Sequence, residues 1–221
     1  MDSTLYWLWL AEALGSGCRL AGRLLEEYPD PAELYGQVKA GRNLPEYLSA
    51  RAREFMQAVA PAQMAGLKKR CDDLNIFILT PESTDYPQRL RDLPDLPLVL
   101  YGTGNPACLN GRRYVGMVGT RRPSAYGRQA AFDLSQELAK QGTVIVSGLA
   151  DGLDSEGHRA AVEAGTPTVA FLGTAIDTTY PAANLKLRRR IEKDGGAVCS
   201  EYPPGYQGKQ KGTFLARNRL I

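Results

Sequence analysis

Short apolar segments alternate with longer helical segments throughout the second half of this chain. Each apolar segment has the length of a β-strand and ends in a turn rich in Gly, Ser or Thr; the predicted strands are residues 115–118, 144–146, 168–172 and 197–199. Segments with helical periodicity lie between them, at residues 125–140, 155–164 and 184–194. Such alternation is typical of a parallel sheet with helices packed on its faces. We therefore predict an α/β fold built on a doubly wound parallel sheet.

Residues at the ends of the predicted helices support these boundaries. Side chains that can accept a helix N-terminal N–H lie at the three starts: Ser124, Asp154 and Asn184. Glycines that can adopt the left-handed conformation follow the three ends: Gly142, Gly165 and Gly195. A capping side chain at the start and a glycine beyond the end are the usual signals of a helix.

The turns that follow the strands should meet in space, because parallel strands place their carboxyl ends at one edge of the sheet. Backbone N–H groups at a helix N-terminus favour anions, and glycine lets a phosphate approach closely. The turns contain, in chain order, Gly119, Thr120, Arg121 and Ser124, then Ser147 and Gly148, then Gly173 and Thr174, then Ser200 and Glu201. We predict that this edge binds a ligand rich in phosphate.

The distribution of charge favours the same half of the chain. Residues 1–109 carry 11 Lys and Arg against 14 Asp and Glu, whereas residues 110–221 carry 16 against 10. A basic region favours an anionic partner such as nucleic acid, although a solvated helix face gives the same count. The first turn lacks the Gly-x-Gly-x-x-Gly pattern of dinucleotide-binding proteins, and the Gly-Lys-Ser/Thr ending of the Walker pattern is also missing. NAD and ATP are thus disfavoured as ligands.

The front of the chain has a different organisation. Apolar residues repeat there at helical spacing, without intervening strands. We predict a small all-α domain over residues 1–72 and a sheet domain over residues 73–221. Two further short strands, at residues 76–79 and 98–101, are predicted to prepare or extend the sheet.

A glycine-rich turn within the helical domain has two interpretations. The segment Leu14-Gly15-Ser16-Gly17, followed by a predicted helix over residues 18–27, resembles the turn of SAM-like, helix-hairpin-helix domains that hold a DNA phosphate. The alternative is a turn that only joins two packed helices. This alternative is favoured, because pairs of glycines often mark nothing more than the end of one helix and the start of the next. Glu26 and Glu27 nearby also argue against contact with DNA.

Cysteine and histidine usage excludes several kinds of site. Cysteines at positions 18, 71, 108 and 199 form no Cys-x-x-Cys pair, and His158 is the chain's single histidine. We therefore predict no zinc site, no histidine-based catalytic triad, and a reduced, cytoplasmic protein. The apolar segment 5–14 is too short to span a membrane and lacks the basic start of a signal peptide.

Six motifs in the sheet region, in this order and spacing, resemble the DNA-processing protein A (DprA/Smf) family. They are Val118-Gly119-Thr120-Arg121-Arg122-Pro123-Ser124, Ser147-Gly148-Leu149-Ala150-Asp151-Gly152-Leu153-Asp154 with His158, Gly173-Thr174, Tyr180-Pro181, Ser200-Glu201-Tyr202-Pro203-Pro204-Gly205 and Arg217-Asn218-Arg219. The resemblance covers about residues 76–221, and the helical front is similar to the SAM-like domain of many members. It implies a Rossmann-like sheet preceded by a helical domain.

The resemblance also implies a function. Members of this family are bacterial proteins that bind and protect single-stranded DNA and load the RecA recombinase onto it during natural transformation, without catalytic turnover or a cofactor. They form homodimers through a later part of the same domain. Because the family's sheet continues with further strands and helices, the resemblance implies that this chain stops within the domain, which puts dimerisation in question.

Candidate DNA-binding residues follow from the turns and the family motifs. Arg121 can grip a phosphate bidentately while the Ser124 hydroxyl and the amides of Gly119 and Thr120 complete the pocket. Ser147 and Gly148 have small side chains that leave room for a sugar-phosphate. The predicted set is completed by Lys186, Phe214, Arg217, Asn218 and Arg219, in which an aromatic ring and cations suit unpaired bases and their backbone.

Structural alternatives exist for several of these residues. Phe214 could plug the edge of the sheet while Arg217 pairs with Glu201. The three arginines at positions 188–190 could simply face solvent. Asp154 is predicted to cap a helix and His158 to bond within its loop, so neither joins the DNA-binding set. The segment 205–212 is predicted to be a surface loop, and a new helix is predicted to start at Asn218.

Two other functions remain open at this stage. Similar sheets occur in nucleoside-monophosphate phosphoribohydrolases of the lysine-decarboxylase-like group, but this chain lacks their Pro-Gly-Gly-x-Gly-Thr turn. Glu201 is the residue that could correspond to their catalytic acid, but a single carboxylate is weak evidence for hydrolysis. A purely protein-binding module would leave the convergent cationic turns unexplained.

Overall fold

The computed structural model describes residues 2–111, 113–208 and 210–221, and these form two compact units. One unit contains the chain up to Ser83 together with Pro87–Leu100, and the other contains Thr84–Tyr86 together with Tyr101–Ile221. The short strand and helix that follow residue 73 thus cluster with the helical unit. That the domains divide at residues 72 and 73 as independently folding bodies stays a prediction.

The first unit is built mainly from helices. In chain order they are α1 (Ser3–Leu14), α2 (Ala21–Glu27), α3 (Pro31–Lys39), α4 (Ala50–Ala58) and α5 (Ala65–Asp73), followed by β1 (Phe77–Leu79) and α6 (Gln88–Arg91). The apolar residues of α1 are buried, and the Trp9 indole N–H donates to the Val59 carbonyl at 2.8 Å. Gly15 and Gly17 both have positive φ, so the turn between α1 and α2 needs glycine, and α2 starts at Ala21 rather than at residue 18. In the part of the chain that the structure describes, none of the helices is long and apolar enough to span a membrane.

The second unit is built on a mixed sheet with a parallel centre. Its strands are β2 (Leu100–Gly104), β3 (Tyr114–Gly116), β4 (Val144–Ser147), β5 (Thr168–Leu172) and β6 (Ala197–Ser200). They lie in the order β2-β6-β5-β4-β3; β3 to β6 are parallel, and β2 runs antiparallel to β6. The predicted α/β fold with a parallel sheet is therefore confirmed. Because β3 ends at Gly116, Val118 lies beyond the strand and is 61% exposed.

Helices connect the parallel strands as the sequence pattern indicates. They are α7 (Ala125–Lys140), α8 (Leu153–Glu163) and α9 (Leu185–Lys193). The Ser124 hydroxyl accepts the Gly127 N–H at 3.1 Å, which confirms it as the cap of α7. The predicted left-handed glycines, Gly142, Gly165 and Gly195, are also confirmed, with φ of 76°, 70° and 85°.

Two predicted caps are wrong. Gly152 occupies the N-cap of α8, so Asp154 lies inside the first turn and uses its carboxylate elsewhere. The Asn184 side chain does not cap α9; its amide donates to the Leu149 carbonyl at 2.9 Å. Leu149 has a φ of 57°, so this bond holds a residue in the left-handed region that non-glycine residues rarely adopt.

The end of the chain also differs from the prediction. A helix, α10 (Gln210–Arg217), occupies part of the segment 205–212 that was expected to be a loop, and a 3₁₀ turn, Asn218–Leu220, stands where a new helix was expected. The Thr213 hydroxyl donates to the Gly173 carbonyl at 2.5 Å, and Thr213 and Arg217 are both buried. Residues four apart share a helix face, so this pair attaches α10 to the sheet edge. Lys209, within the predicted loop, lies outside the described residues.

His158 is fully buried on α8. Its Nδ1 lies 2.8 Å from the Thr168 hydroxyl, whose own proton is donated to the Ile145 carbonyl at 2.6 Å. The Thr168 oxygen must therefore accept, so Nδ1 carries the histidine proton and Nε2 is unprotonated. The predicted bond within its own loop is wrong, because the imidazole reaches across to β5 instead.

This burial predicts a specific dependence of stability on pH. Desolvation, with a smaller contribution from the charge of Arg217, lowers the pKa of His158 to about 3, whereas an unfolded chain has a pKa of about 6.5. Below pH 6.5 the unfolded state binds a proton that the native state does not, so the free energy of unfolding should be highest above pH 6.5 and fall towards pH 3. Between pH 7 and pH 5 we expect a loss of roughly 1–2 kcal/mol from this histidine.

Because His158 is the only histidine, one NMR resonance reports its protonation directly. Its imidazole signal should not shift between pH 7 and pH 5 in the folded protein. Urea unfolding of His158→Gln should show a smaller loss over the same range than the wild type. A histidine signal that titrates near pH 6.5 in the folded protein would contradict the prediction.

Candidate functional site

A cleft of about 480 Å³ opens at the carboxyl edge of the parallel strands. It is lined by Gly116, Val118, Gly119, Arg121, Ala150, Asp154, Arg217, Asn218 and Ile221. A smaller cavity of about 40 Å³ shares Arg121, Ala150 and Arg217 with it and is also lined by Tyr180 and Phe214. The strands thus bring together turns and a helix that are distant in sequence.

Arg121 is the exposed cation of the cleft. Its turn is fixed by backbone geometry, because the Thr120 carbonyl accepts the Leu153 N–H at 3.2 Å and the Thr120 hydroxyl accepts the Arg122 N–H at 3.1 Å. Among the described residues, no carboxylate lies within salt-bridge distance of Arg121. Its guanidinium carbon is 6.0 Å from the centre of the Phe214 ring. The charge of Arg121 is therefore available to an anion.

Arg217 is also a cation of the cleft, but it is only 5% exposed. Its Nη1 donates to the Gly148 carbonyl at 3.0 Å and to the Phe171 carbonyl, and its Nε donates to the Asn218 side chain at 3.2 Å. Burial lowers the pKa of Arg217, the nearby charge of Asp154 raises it, and that of Arg121 lowers it. Arg217 thus joins α10 to two turns of the sheet.

Asp154 supplies the charge that opposes this buried guanidinium. Its carboxylate is buried and accepts the Gly148 N–H at 3.1 Å. Gly148 is therefore held on both sides, through its N–H by Asp154 and through its carbonyl by Arg217. Sequence reasoning excluded Asp154 from the site because a carboxylate near a helix start most often caps it. Only the fold shows that its side chain turns back to the preceding strand end.

The glycines of the turns are packed against protein side chains. A Cβ on Gly148 would lie 2.6 Å from the Arg217 guanidinium carbon, and a Cβ on Gly173 would lie 2.6 Å from the Phe214 ring. A Cβ on Gly119 would lie 2.5 Å from the side chain of Leu153. Arg217 thus occupies the space that a side chain at position 148 would fill, while Gly148 itself lines the smaller cavity, and its contact with DNA stays a prediction.

Ser147 does not face the cleft either. It is fully buried, and its hydroxyl donates to the Met117 carbonyl at 2.5 Å. This bond joins the end of β4 to the segment that follows β3. Ser147 therefore helps to shape the edge of the sheet from below and offers no group to a ligand at the surface.

Phe214 is half-buried beneath a layer of cations. Its ring centre is 5.7 Å from that of Tyr180 and 6.0 Å from the guanidinium carbons of both Arg121 and Arg217. Guanidinium groups at this distance from an aromatic ring are attracted by its negative face. The predicted plugging of the sheet edge by Phe214 agrees with its contact against Gly173.

Arg219 forms an ion pair with Glu201. Both terminal nitrogens of Arg219 lie 2.7 Å from the two Glu201 oxygens, and Glu201 is 8% exposed. The alternative in which Arg217 pairs with Glu201 is therefore wrong, since Arg219 takes that place. A carboxylate held by a bidentate guanidinium is poorly placed to serve as a general acid.

The remaining predicted residues lie at the rim or outside the cleft. Thr120, Ser124 and Asn218 are exposed, and Lys186 is exposed on α9 but lines neither cavity. Arg188, for which a solvent-facing position was one alternative, is 7% exposed and donates to the Ile176 carbonyl at 2.7 Å. Contact of any of these residues with DNA stays a prediction.

The packing of Gly148 gives a test of this arrangement. Gly148→Ala should lower the free energy of unfolding by about 1–3 kcal/mol, because the new Cβ collides with the desolvated guanidinium of Arg217. Gly66→Ala is the matched control, because Gly66 lies in α5 with nothing within 4 Å of an added Cβ. The free energy of unfolding of this variant should rise by up to about 1 kcal/mol. Equal urea midpoints for Gly148→Ala and the wild type would refute the packing.

The ion pair between Arg219 and Glu201 gives a second test. Arg219→Ala should lower the free energy of unfolding by about 3 kcal/mol, because it leaves a buried carboxylate without its partner. Adding Glu201→Gln should restore part of the loss, since the uncompensated charge is removed. Thermal or urea unfolding of the single and double variants measures this coupling. Simply additive effects of the two substitutions would contradict a stabilising ion pair between Arg219 and Glu201.

Comparisons with known proteins agree on one family. A family model described as DNA recombination-mediator protein A matches residues 77–221. Protein Smf of Synechocystis is 41% identical over 153 residues, which cover 66% of this chain and 37% of that protein. This chain spans between 37% and 57% of the length of the curated relatives that it matches.

Two solved structures extend the comparison to the fold. The X-ray structure of DNA processing protein A from Streptococcus pneumoniae superposes with a TM-score of 0.76 at 30% identity, covering all of this chain and 75% of that one. DNA processing protein A from Helicobacter pylori, whose structure describes its mode of binding single-stranded DNA, gives a TM-score of 0.58 at 37% identity. That match covers 65% of this chain and 64% of the other.

Proposed function

This chain belongs to the DNA recombination-mediator protein A family, and from that premise we propose that it binds single-stranded DNA at the cleft beside Arg121. The observation that carries the proposal is the exposed Arg121 guanidinium, which among the described residues has no carboxylate at salt-bridge distance and lies at the rim of a cleft formed by the carboxyl ends of parallel strands. The related Helicobacter pylori protein binds single-stranded DNA, which supports the same ligand here.

The electrostatics of the cleft suit a phosphate backbone. Arg121 stands beside the buried Arg217, whose charge is delocalised over a guanidinium that cannot lose its proton at neutral pH. Two like charges this close raise the local potential, and Asp154 opposes it from the protein interior. A phosphate that approaches Arg121 therefore gains from both cations while contacting only the exposed one.

We propose binding without catalytic turnover and without a cofactor. The two groups that sequence reasoning considered for chemistry are committed elsewhere: His158 is buried against Thr168, and Glu201 is held by Arg219. General acid–base catalysis needs a side chain within hydrogen-bond reach of the reacting atoms. No observation favours the nucleotide-hydrolase alternative over DNA binding.

Membership of the family supports a wider role. We propose that the protein acts in the cytoplasm, protects incoming single strands during transformation, and promotes loading of the RecA recombinase onto them. Homodimerisation is part of the same proposal. The support for these roles is membership of the family. This chain spans 37% and 46% of the length of the relatives from Synechocystis and Bacillus subtilis.

Substitution of Arg121 tests the binding site. Arg121→Ala should weaken binding of labelled oligo-dT, because one phosphate contact and its released counterion are lost. The slope of log affinity against log salt should become shallower by about 0.7, the value for one contact on a single strand. Fluorescence anisotropy across a salt titration measures both quantities.

Lys69→Ala provides the matched control. Lys69 is an exposed cation on α5 that pairs with Asp73, so its loss removes one positive charge from a residue that lines neither the cleft nor the smaller cavity. Its effect on affinity and on the salt slope should be small. Equal effects of Arg121→Ala and Lys69→Ala would show binding through net charge alone, and a folded wild type that ignores oligo-dT would refute the proposed function.

A further inference from the structure

Tyr126 is the most exposed large hydrophobic side chain among the described residues. It lies in the first turn of α7 and is 83% exposed. The position of this turn is fixed, because Ser124 accepts N–H groups from both Gly127 and Arg128. An exposed aromatic ring on a fixed turn is available to a ligand that can stack on it.

The surroundings of Tyr126 are cationic. Residues 119–128 contain three arginines and no acidic residue. Arg128 pairs with the buried Glu156 at 3.3 Å, but within the described chain neither Arg121 nor Arg122 has a carboxylate at salt-bridge distance. Both of these arginines are exposed. The segment therefore combines two free cations with a free aromatic ring.

Phe214, the aromatic residue that sequence reasoning selected, is less available. Its ring already has Tyr180, Arg121 and Arg217 as neighbours, and it presses on Gly173. These neighbours leave less of the Phe214 ring open to a base than is open on Tyr126. Tyr126 needs no such rearrangement, because most of its surface faces solvent.

We propose that Tyr126 is a stacking platform for an unpaired base of the single strand whose phosphates Arg121 and Arg122 bind. The inference rests on the proposed function and adds a residue to that site. Cations that follow the backbone and aromatic rings that stack on bases are the combination that proteins use for single strands without reading sequence. A base in duplex DNA is already stacked on both sides, so Tyr126 favours single strands over duplex.

A stacking contact requires a base, whereas an ionic contact requires only the phosphate backbone. The test therefore uses two labelled oligonucleotides of equal length. One is oligo-dT and the other is an abasic deoxyribose-phosphate strand. The wild type should prefer oligo-dT. Tyr126→Ala should weaken oligo-dT binding by about 5- to 150-fold, the range for loss of one stacked base, and should change binding of the abasic strand less than about twofold. Tyr126→Phe, which keeps the ring, should restore the preference.

Two comparison variants isolate the role of the ring. Leu134→Ala changes another exposed apolar residue of α7, about 12 Å along the same face at the helical rise, and should leave DNA binding unchanged. Arg121→Ala should weaken both oligonucleotides and reduce the salt slope, whereas Tyr126→Ala should leave that slope unchanged.

Several outcomes would overturn the inference. An equal loss on both oligonucleotides would show that Tyr126 only positions the turn, and no loss on either would remove it from the site while leaving the proposed function intact. Weakened binding by Leu134→Ala, or self-association of the wild type that both variants abolish, would identify this face of α7 as a protein interface. A wild type that binds neither strand would remove the proposed function and this inference together.

Discussion

The edge of the sheet is organised by one buried cation, the guanidinium of Arg217. A buried charge without partners is strongly destabilising. The hydrogen bonds of Arg217 to Gly148 and Phe171 and its interaction with Asp154 are therefore needed to stabilise this edge of the fold. The same bonds fix α10 against the ends of β4 and β5. The shape of the cleft therefore depends on a residue that contributes little surface to it.

This constraint explains the residue types of the turns. Gly148 is required because any Cβ would occupy the position of the Arg217 guanidinium, and Gly173 is required because a Cβ would meet the Phe214 ring. Glycine here allows side chains of α10 to approach the backbone closely, which differs from the familiar use of glycine to admit a phosphate. The proposed anion-binding edge is thereby pre-assembled by the protein's own side chains.

The regular part of the fold could be predicted from sequence because its signals are local. The 16-residue helix α7 has both its bounds marked by a cap at Ser124 and a left-handed Gly142, and the apolar strands are separated by clear turns. The roles of Asp154, Arg217 and Arg219 could not be predicted, since each depends on a partner that only the fold brings close. Gly148 and Arg217 are 69 residues apart. The helix α10 was missed because glycine and lysine in its first turn are typical of a loop.

The arginines of the sheet edge fall into two classes according to their burial. Arg217 is held by buried hydrogen bonds and Arg219 by a partly buried ion pair with Glu201, so the protein itself fixes their geometry. Arg121 and Arg122 are exposed, and in the described part of the chain neither has a carboxylate at salt-bridge distance. Holding a side chain in place beforehand reduces the entropy that is lost on binding. On the proposal that a single strand binds here, the exposed Arg121 and Arg122 would contact its phosphates, and the buried Arg217 would add a fixed positive charge behind them. Because the phosphate is the same at every nucleotide, such contacts give affinity with little dependence on base sequence.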